Sequence, residues 1–315
     1  MFFQRTINDR ISCKSIGLHS GRKVGMVISP ADADEGIVFV RTDLKGDNRV
    51  KADVHNVRDT TLATTLGVNG VTVSTVEHLM SAFSGMGVDN AIVEVDAPEI
   101  PIMDGSARPF VELLKEVGTR TQDKSKKLLV VQKEVCVSEG ESTAMLLPSP
   151  EFRITYRIAF SHPSIGEQSY EMTFSDISYE REICSARTFG FVKDVEYMQA
   201  KGLALGGSLQ NAVILDDQRI INKEGLRCPK EFVKHKILDA IGDLSLLGIP
   251  IIGHFVAYKA GHHLNNLLLK ELLARQDCWT MVNRFSKEKM VEEFASLRIP
   301  SFRVLDSVQA ARSSF

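Results

Sequence analysis

Short apolar runs bounded by turn-forming residues predict strands at Gly36-Ile-Val-Phe-Val-Arg41 and Ala91-Ile-Val-Glu-Val-Asp96. Between them the apolar spacing becomes helical over Val76 to Ser84, a helix that ends near Gly85 and Gly87. A second helix is predicted from about Ala107 to Val117, with Pro109 in its first turn, where the missing N–H costs little. The segment Thr119-Arg-Thr-Gln-Asp-Lys-Ser-Lys-Lys127 is polar and charge-dense without apolar periodicity, and predicts an interdomain linker. Beyond it the pattern returns, with strands at Leu128 to Val137, Thr143 to Leu147 and Phe152 to Phe160. Helices follow near Val192 to Ala200 and Pro229 to Leu247, then a strand at Ile251 to Tyr258 and a helix from about Asn265 to Gln276.

Strand runs paired with helices in each part predict an α+β protein of two related halves, each packing helices on an antiparallel sheet. The expected domains are 1–122 and 128–285, with a charged amphipathic extension over 286–315. A total of 315 residues suits two domains of ordinary size. Hydrophobic residues make up 43% and charged residues 25%, the balance of a soluble globular chain. With 38 Lys and Arg against 40 Asp and Glu the net charge is −2, which excludes binding to a nucleic-acid polymer by bulk electrostatics.

The amino terminus is interrupted by Gln4, Arg5 and Asn8 and predicts no signal peptide. The most apolar stretch, Leu244 to Ala257, is broken by Gly248, Pro250, Gly253 and His254 and falls short of the roughly 20 residues of a membrane helix. Cys13, Cys136, Cys184, Cys228 and Cys278 are scattered and contain no C-x-x-C pair, as expected of reduced thiols in a cytoplasmic protein. A metal must then look to histidines and carboxylates. No obligate protein partner is expected.

In His235-Lys-Ile-Leu-Asp239 a helix places His235 and Asp239 one turn apart on one face, where they can share an ion or simply a hydrogen bond. Gly242 and Asp243 follow in the same predicted helix. A glycine there costs about 1 kcal/mol relative to alanine, so a close neighbour is expected at Gly242. Ser74-Thr-Val-Glu-His78 offers either a capping box between Ser74 and Glu77 or a base and a ligand side by side. His78, His235 and Asp239 together fit a catalytic zinc site with an open position, or equally the facial triad of a non-haem Fe(II) enzyme. His262 and His263 sit where a strand gives way to a helix, and at most one of them can face a site. Asp243 can orient that imidazole and keep it protonated. His254 and His162 are expected to be ordinary core or surface residues.

These elements resemble the bacterial UDP-3-O-acyl-N-acetylglucosamine deacetylases, zinc amidases of lipid A synthesis. The resemblance rests on Gly17-Leu-His-Ser-Gly21, Ser74-Thr-Val-Glu-His-Leu79, Ala97-Pro-Glu-Ile-Pro-Ile-Met-Asp-Gly-Ser106, Ala186-Arg-Thr-Phe-Gly-Phe191 and Gly202-Leu-Ala-Leu-Gly-Gly-Ser208. It also rests on His235-Lys236 with Asp239-Ala-Ile-Gly-Asp-Leu244, and on Gly261-His262 with Leu264-Asn-Asn266, in order over about residues 3 to 280.

The resemblance implies one Zn2+ (Fe2+ being the alternative) held by His78, His235 and Asp239, with Glu77 as general base and His262 as the protonated partner. It further implies two similar β-α-α-β sandwich domains with helices between two sheets and the site at their junction. Thr188 would support the oxyanion and Asp243 would hold His262. Phe189, Asp194 and Lys236 would lie near the glucosamine, and Phe160 and Lys259 near the nucleotide. An insert near 190–215 would carry the acyl chain past Val192, Val195, Ala204, Leu209, Ala212 and Ile214. A catalytically silent acyl-sugar-nucleotide binding protein is the reading outside enzymology. His19 is the most promising of the remaining histidines for a supporting role.

Overall fold

The computed structural model describes residues 3–282, so the extension expected over 286–315 lies outside the described residues. The chain is α+β. Strands β1 (Ile11–Ile16), β2 (Lys23–Pro30), β3 (Ile37–Arg41), β4 (Arg49–Lys51) and β5 (Ala91–Val95) form one sheet in the order β1-β2-β5-β3-β4. Strands β6 (Val135–Glu139), β7 (Ser142–Leu147), β8 (Arg153–Ala159), β9 (Glu167–Thr173) and β10 (His254–Tyr258) form another in the order β6-β7-β10-β8-β9. The second order is the first shifted by five. In each sheet one central pair, β3 with β5 and β8 with β10, is parallel, and every other pair is antiparallel. The duplication that the apolar pattern suggested is thus written in the topology.

The helices repeat as well. Helix α1 (Glu77–Met86) precedes β5 and α2 (Arg108–Val117) follows it. After the insert helix α3 (Val192–Ala200), helix α4 (Glu231–Ser245) precedes β10 and α5 (His262–Ala274) follows it. Inward residues of both sheets, such as Met26, Phe39 and Val93 in one and Ile154, Tyr156 and Phe255 in the other, join one core with Leu79, Phe83, Ile237, Ile241 and Leu268 from the helices. Helix α4 is buried along almost its whole length, leaving only Lys236 and Ser245 less than buried. A helix buried all round belongs in the interior, and this one carries three ionisable residues of the predicted site there.

Three expectations change. The segment predicted as a linker contains a strand, Thr119–Ser125, paired antiparallel with Phe3–Ile7. That strand is largely exposed and so carries no apolar alternation to betray it. The runs Leu128 to Val137 and Ile251 to Tyr258 each split into two strands that serve different sheets, with Leu128–Val131 pairing Ile251–Ile252 in parallel and Trp279–Val282 antiparallel. Finally α5 starts at His262, three residues before the predicted Asn265, so the imidazole stands at the helix entrance. All five cysteines are unpaired, and no described helix is long and apolar enough to cross a membrane.

Helices α1 and α4 touch backbone to backbone. A Cβ added to Gly242 would stand 2.0 Å from the Glu77 carbonyl oxygen, which is the close neighbour its mid-helix position predicted. Gly242→Ala should therefore force the helices apart and lower stability by about 1–3 kcal/mol. Gly261→Ala, where the added methyl meets nothing within 4 Å, should leave the unfolding midpoint unchanged in the same thermal melt.

Candidate metal and acid–base site

Glu77 and His78 open α1, and the entry to that helix is built by hydrogen bonds from elsewhere in the half. Ser74 donates its N–H to Pro98 O (2.9 Å) and accepts from Ile100 N (3.0 Å). The Ser74 hydroxyl pairs with Thr65 Oγ1 at 2.8 Å, and α1 has no side-chain cap, so the capping-box reading fails. Thr75 sits at φ 58°, an uncommon backbone for a β-branched residue. Its hydroxyl donates to Glu99 Oε1 at 3.2 Å, while Glu99 also accepts from His19 N (2.8 Å) and Ser20 N (3.0 Å). Buried Glu99 thereby ties the Gly17–Gly21 loop to Thr75, two residues before α1.

His235 and Asp239 lie one turn apart on α4, as the spacing required. His235 Nε2 is 3.3 Å and His78 Nε2 3.5 Å from Asp239 Oδ1, and the three ligand atoms all lie within 4.8 Å of one another. Among the described residues this is the one such group. His235 Nδ1 is engaged by Ala186 O at 3.0 Å, which presents Nε2 as the electron-pair donor. Burial, only partly offset by Asp239, brings the His235 pKa down to about 4, so the ring is neutral at pH 7. Burial raises the Asp239 carboxyl, but His235 and Lys236 outweigh it and hold the group well below the usual range. Asp239 Oδ1 has no hydrogen-bond partner among the described residues. Two imidazoles and a carboxylate oxygen converging in a buried site fit a divalent cation.

The residues expected to form an acid–base pair lie beside them. His262 Nδ1 is 2.8 Å from Asp243 Oδ2, and its Nε2 is 3.9 Å from Glu77 Oε1. Burial disfavours the imidazolium, yet Asp243 outweighs it and lifts the His262 pKa to about 9. Glu77 moves upward too, because its burial outweighs the pull of His262 and His78. His263 is exposed, 3.8 Å from Glu139, and of the two adjacent histidines only His262 lines the cavity described below. His162 and His254 are occupied elsewhere, by Asp216 O at 2.7 Å and by Thr155 Oγ1 at 2.8 Å.

A cavity of about 280 Å³ joins these groups, lined by Glu77, His78, Thr188, His235, Lys236, Asp239 and His262 together with Phe160, Phe189 and His19. Phe160 and Phe189 meet edge to face, with centroids 5.8 Å apart. Lys236 Nζ reaches Asp239 Oδ2 at 3.0 Å. Of the remaining predicted contacts, Asp194 and the six passage residues do not line this cavity, and Lys259 pairs with Glu141 at 2.7 Å outside it. Ala204 and Ala212 are buried, Val192, Val195 and Ile214 half-buried, and Leu209 exposed. Their insert is closed by Phe189–Phe191 pairing in parallel with Val213–Leu215, and is fastened to the Gly17–Gly21 loop through Leu205 N to His19 O (3.1 Å) and Gly206 N to Leu18 O (3.0 Å). A wider groove of about 780 Å³ along α2, lined by Arg108, Glu112, Lys115 and Glu180, brings together no group of this site.

The motifs did not single out Thr64, Asn265 or the Ala186 carbonyl as parts of the site. Asn265 Nδ2 donates to Asp243 Oδ2 at 2.8 Å, and Thr64 donates to both Glu77 and Asp243. Asn265 and Glu99 lie inside motif strings, where a buried amide or carboxylate could have been suspected, whereas Thr64 lies in none.

Three donors that could hold a cation, with a carboxylate and a carboxylate-held imidazole beside them, form an arrangement suited to metal-assisted hydrolysis. The comparisons with known proteins agree with that class. The family model LpxC, UDP-3-O-acyl N-acetylglycosamine deacetylase, matches residues 4–274. UDP-3-O-acyl-N-acetylglucosamine deacetylase of Syntrophus aciditrophicus (strain SB) is 62% identical over 315 residues, covering 98% of this chain and 100% of the relative. The enzyme of the same name from Myxococcus xanthus (strain DK1622) is 52% identical over 279 residues, 89% of each chain. That from Shewanella piezotolerans is 49% identical over 304 residues, 96% of this chain and 98% of the relative. The chain belongs to the UDP-3-O-acyl N-acetylglycosamine deacetylase family.

The Asp243–His262 contact sets a pH dependence. Below about 6.5 the imidazole is protonated in folded and unfolded chains alike, and between 6.5 and 9 only the folded chain holds the proton. The stability this pair contributes is therefore complete below 6.5 and is lost as pH rises through about 9. In metal-free protein the His262 ring should titrate near 9 by NMR, and in Asp243→Asn its midpoint should move down, since the largest raising contributions come from Asp243.

Proposed function

We propose that the protein hydrolyses the N-acetyl group of UDP-3-O-acyl-N-acetylglucosamine, releasing acetate and UDP-3-O-acyl-glucosamine, as a cytoplasmic step of lipid A synthesis. The convergence of His78, His235, Asp239, Glu77 and His262 on one cavity, with Asp243 holding His262, carries this reading. His78, His235 and Asp239 would hold Zn2+, which when bound supplies Lewis acidity and water activation at neutral pH.

The chain's own groups divide the remaining work. Glu77 is buried with Oε2 engaged by the Thr64 N–H, so Oε1 is the atom available to take the proton of the attacking water. Its raised pKa makes it a stronger base than an exposed carboxylate. The Thr188 hydroxyl, at the cavity wall, donates to the oxyanion as the carbonyl carbon becomes tetrahedral. His262, held protonated by Asp243, delivers its Nε2 proton to the amine nitrogen as the C–N bond breaks. Water's oxygen leaves in acetate, and its second proton is shed on ionisation.

Phe189, Lys236 and Phe160 line the cavity, where Phe189 and Lys236 would meet the sugar and Phe160 the nucleotide. Asp194 would reach the sugar from α3, and Lys259 would exchange Glu141 for the diphosphate. The halves 1–122 and 128–285 act as two domains, each supplying part of the site. The 190–215 insert would take the acyl chain along Val192, Val195, Ala204, Leu209, Ala212 and Ile214.

Acetate release from the acylated sugar nucleotide should vanish on chelation and return with Zn2+; restoration by Fe2+ alone, with a redox cosubstrate consumed, would replace this reading. Glu77→Ala and His262→Ala should keep the metal while losing about 10²–10⁴-fold in kcat, the usual worth of an acid–base group. His78→Ala should lose the metal itself. Near-normal turnover by Glu77→Ala would remove it as the base.

Ala204 has φ 51°, so enlarging it would strain the backbone as well as fill space. Val195, half-buried on α3, tests the passage more cleanly. Val195→Trp should impair a long-chain substrate more than a short-chain analogue in kcat/KM, and equal losses would speak against the passage.

A further inference from the structure

We propose that Thr64 is a positioning residue that sets the general base against the acid pair; this rests on the roles assigned above to Glu77 and His262. Thr64 lies between the short strands Val57–Asp59 and Thr65–Val68 and is 2% exposed. Each of its polar groups is spent on the site. Its N–H donates to Glu77 Oε2 at 3.0 Å, its carbonyl accepts from Val76 N at 3.3 Å at the entrance of α1, and its hydroxyl donates to Asp243 Oδ1 at 2.6 Å.

A carboxylate held at one oxygen cannot turn its other oxygen freely. With Oε2 fixed, Glu77 presents Oε1 towards His262 Nε2, 3.9 Å away. With Oδ1 fixed by Thr64, Asp243 offers Oδ2 to His262 Nδ1 and Asn265 Nδ2, each at 2.8 Å. Glu77 belongs to the first half, and Asp243 and His262 to the second. Thr64 is thus a single residue that registers the base of one half against the acid of the other. Thr64 is itself neither a predicted ligand nor a residue lining the cavity, so its contribution is to geometry.

The decisive substitution is Thr64→Val, which keeps the shape and both backbone contacts and removes only the 2.6 Å hydrogen bond. Loss of a buried hydrogen bond to a charged group should lower kcat about ten- to a hundredfold. KM should stay within about twofold, and bound zinc should be retained, since the ligands and the substrate-lining side chains are unaltered. Thr64→Ser, which restores the hydroxyl without the methyl, should recover most of the lost kcat. Wild-type kcat in the valine variant, or a serine variant as impaired as the valine, would overturn the proposal in favour of plain packing. Should the valine variant not fold, Thr64→Cys takes its place, its thiol being a weak donor. An intermediate loss in kcat is then expected, and an effect on KM alone would overturn the proposal. Glu77→Ala and His262→Ala measured alongside separate the two levels: their activity would fail the acid–base reading, whereas their inactivity with a fully active Thr64→Val would fail this one.

Discussion

The backbone contact between α1 and α4 is the constraint on which the site depends. With a side chain at position 242 the two helices could not approach this closely, because the Glu77 carbonyl occupies the space a Cβ would need. Glu77 and His78 begin one helix, and His235, Asp239 and Asp243 run along the other. Their side chains converge only because the helix axes are this near. A glycine that costs stability in an isolated helix is here what allows two halves to share one centre.

The same proximity forces charged groups into the interior, where each needs an answering partner. Asp243 is answered by Thr64, Asn265 and His262, and Asp239 by Lys236 and the two predicted ligand histidines. Glu77 receives the Thr64 N–H on one oxygen and has His262 at 3.9 Å from the other. Glu77 and His262 are both shifted upward, for opposite reasons: burial raises the Glu77 carboxyl, and the carboxylates of Asp243, Glu77 and Asp239 together override burial at His262. The effect is a carboxylate more willing to take a proton beside an imidazolium kept charged across neutral pH.

Much of this was legible in the residues themselves. His235 and Asp239 announce a shared face through helical spacing, and Gly242 announces a neighbour through its cost. The α+β class and most helices followed from apolar period. The strand at Thr119–Ser125 did not, because a ribbon wet on both faces has no reason to alternate. The splitting of Ile251 to Tyr258 escaped for the converse reason, since both of its pieces are largely buried and apolar continuity hides the change of sheet, whereas the split of Leu128 to Val137 falls at the exposed polar residues Gln132, Lys133 and Glu134, a break the residues did show. The capping reading of Ser74 failed because tertiary hydrogen bonds claimed its side chain. Thr64 gave no signal at all: a threonine in a short connection is common, and its meaning lies in what arrives from residue 243. The resemblance carried the sugar and acyl assignments, which spacing could not reach.

The parallel central pairs have a kinetic consequence. Ile37 must find Ala91 before the first sheet is complete, and Arg153 must find His254 before the second. Each of these long closures encloses a helix of the predicted site, α1 in one and α4 in the other. Distant pairing of this kind is slow to form, because chain entropy is lost before any contact repays it. The centre can therefore assemble only after both closures. A chain caught midway would hold its strands in local hairpins while its ionisable groups remained in water with ordinary acidities, so recovery of the shifted His262 titration would mark the last stage of refolding.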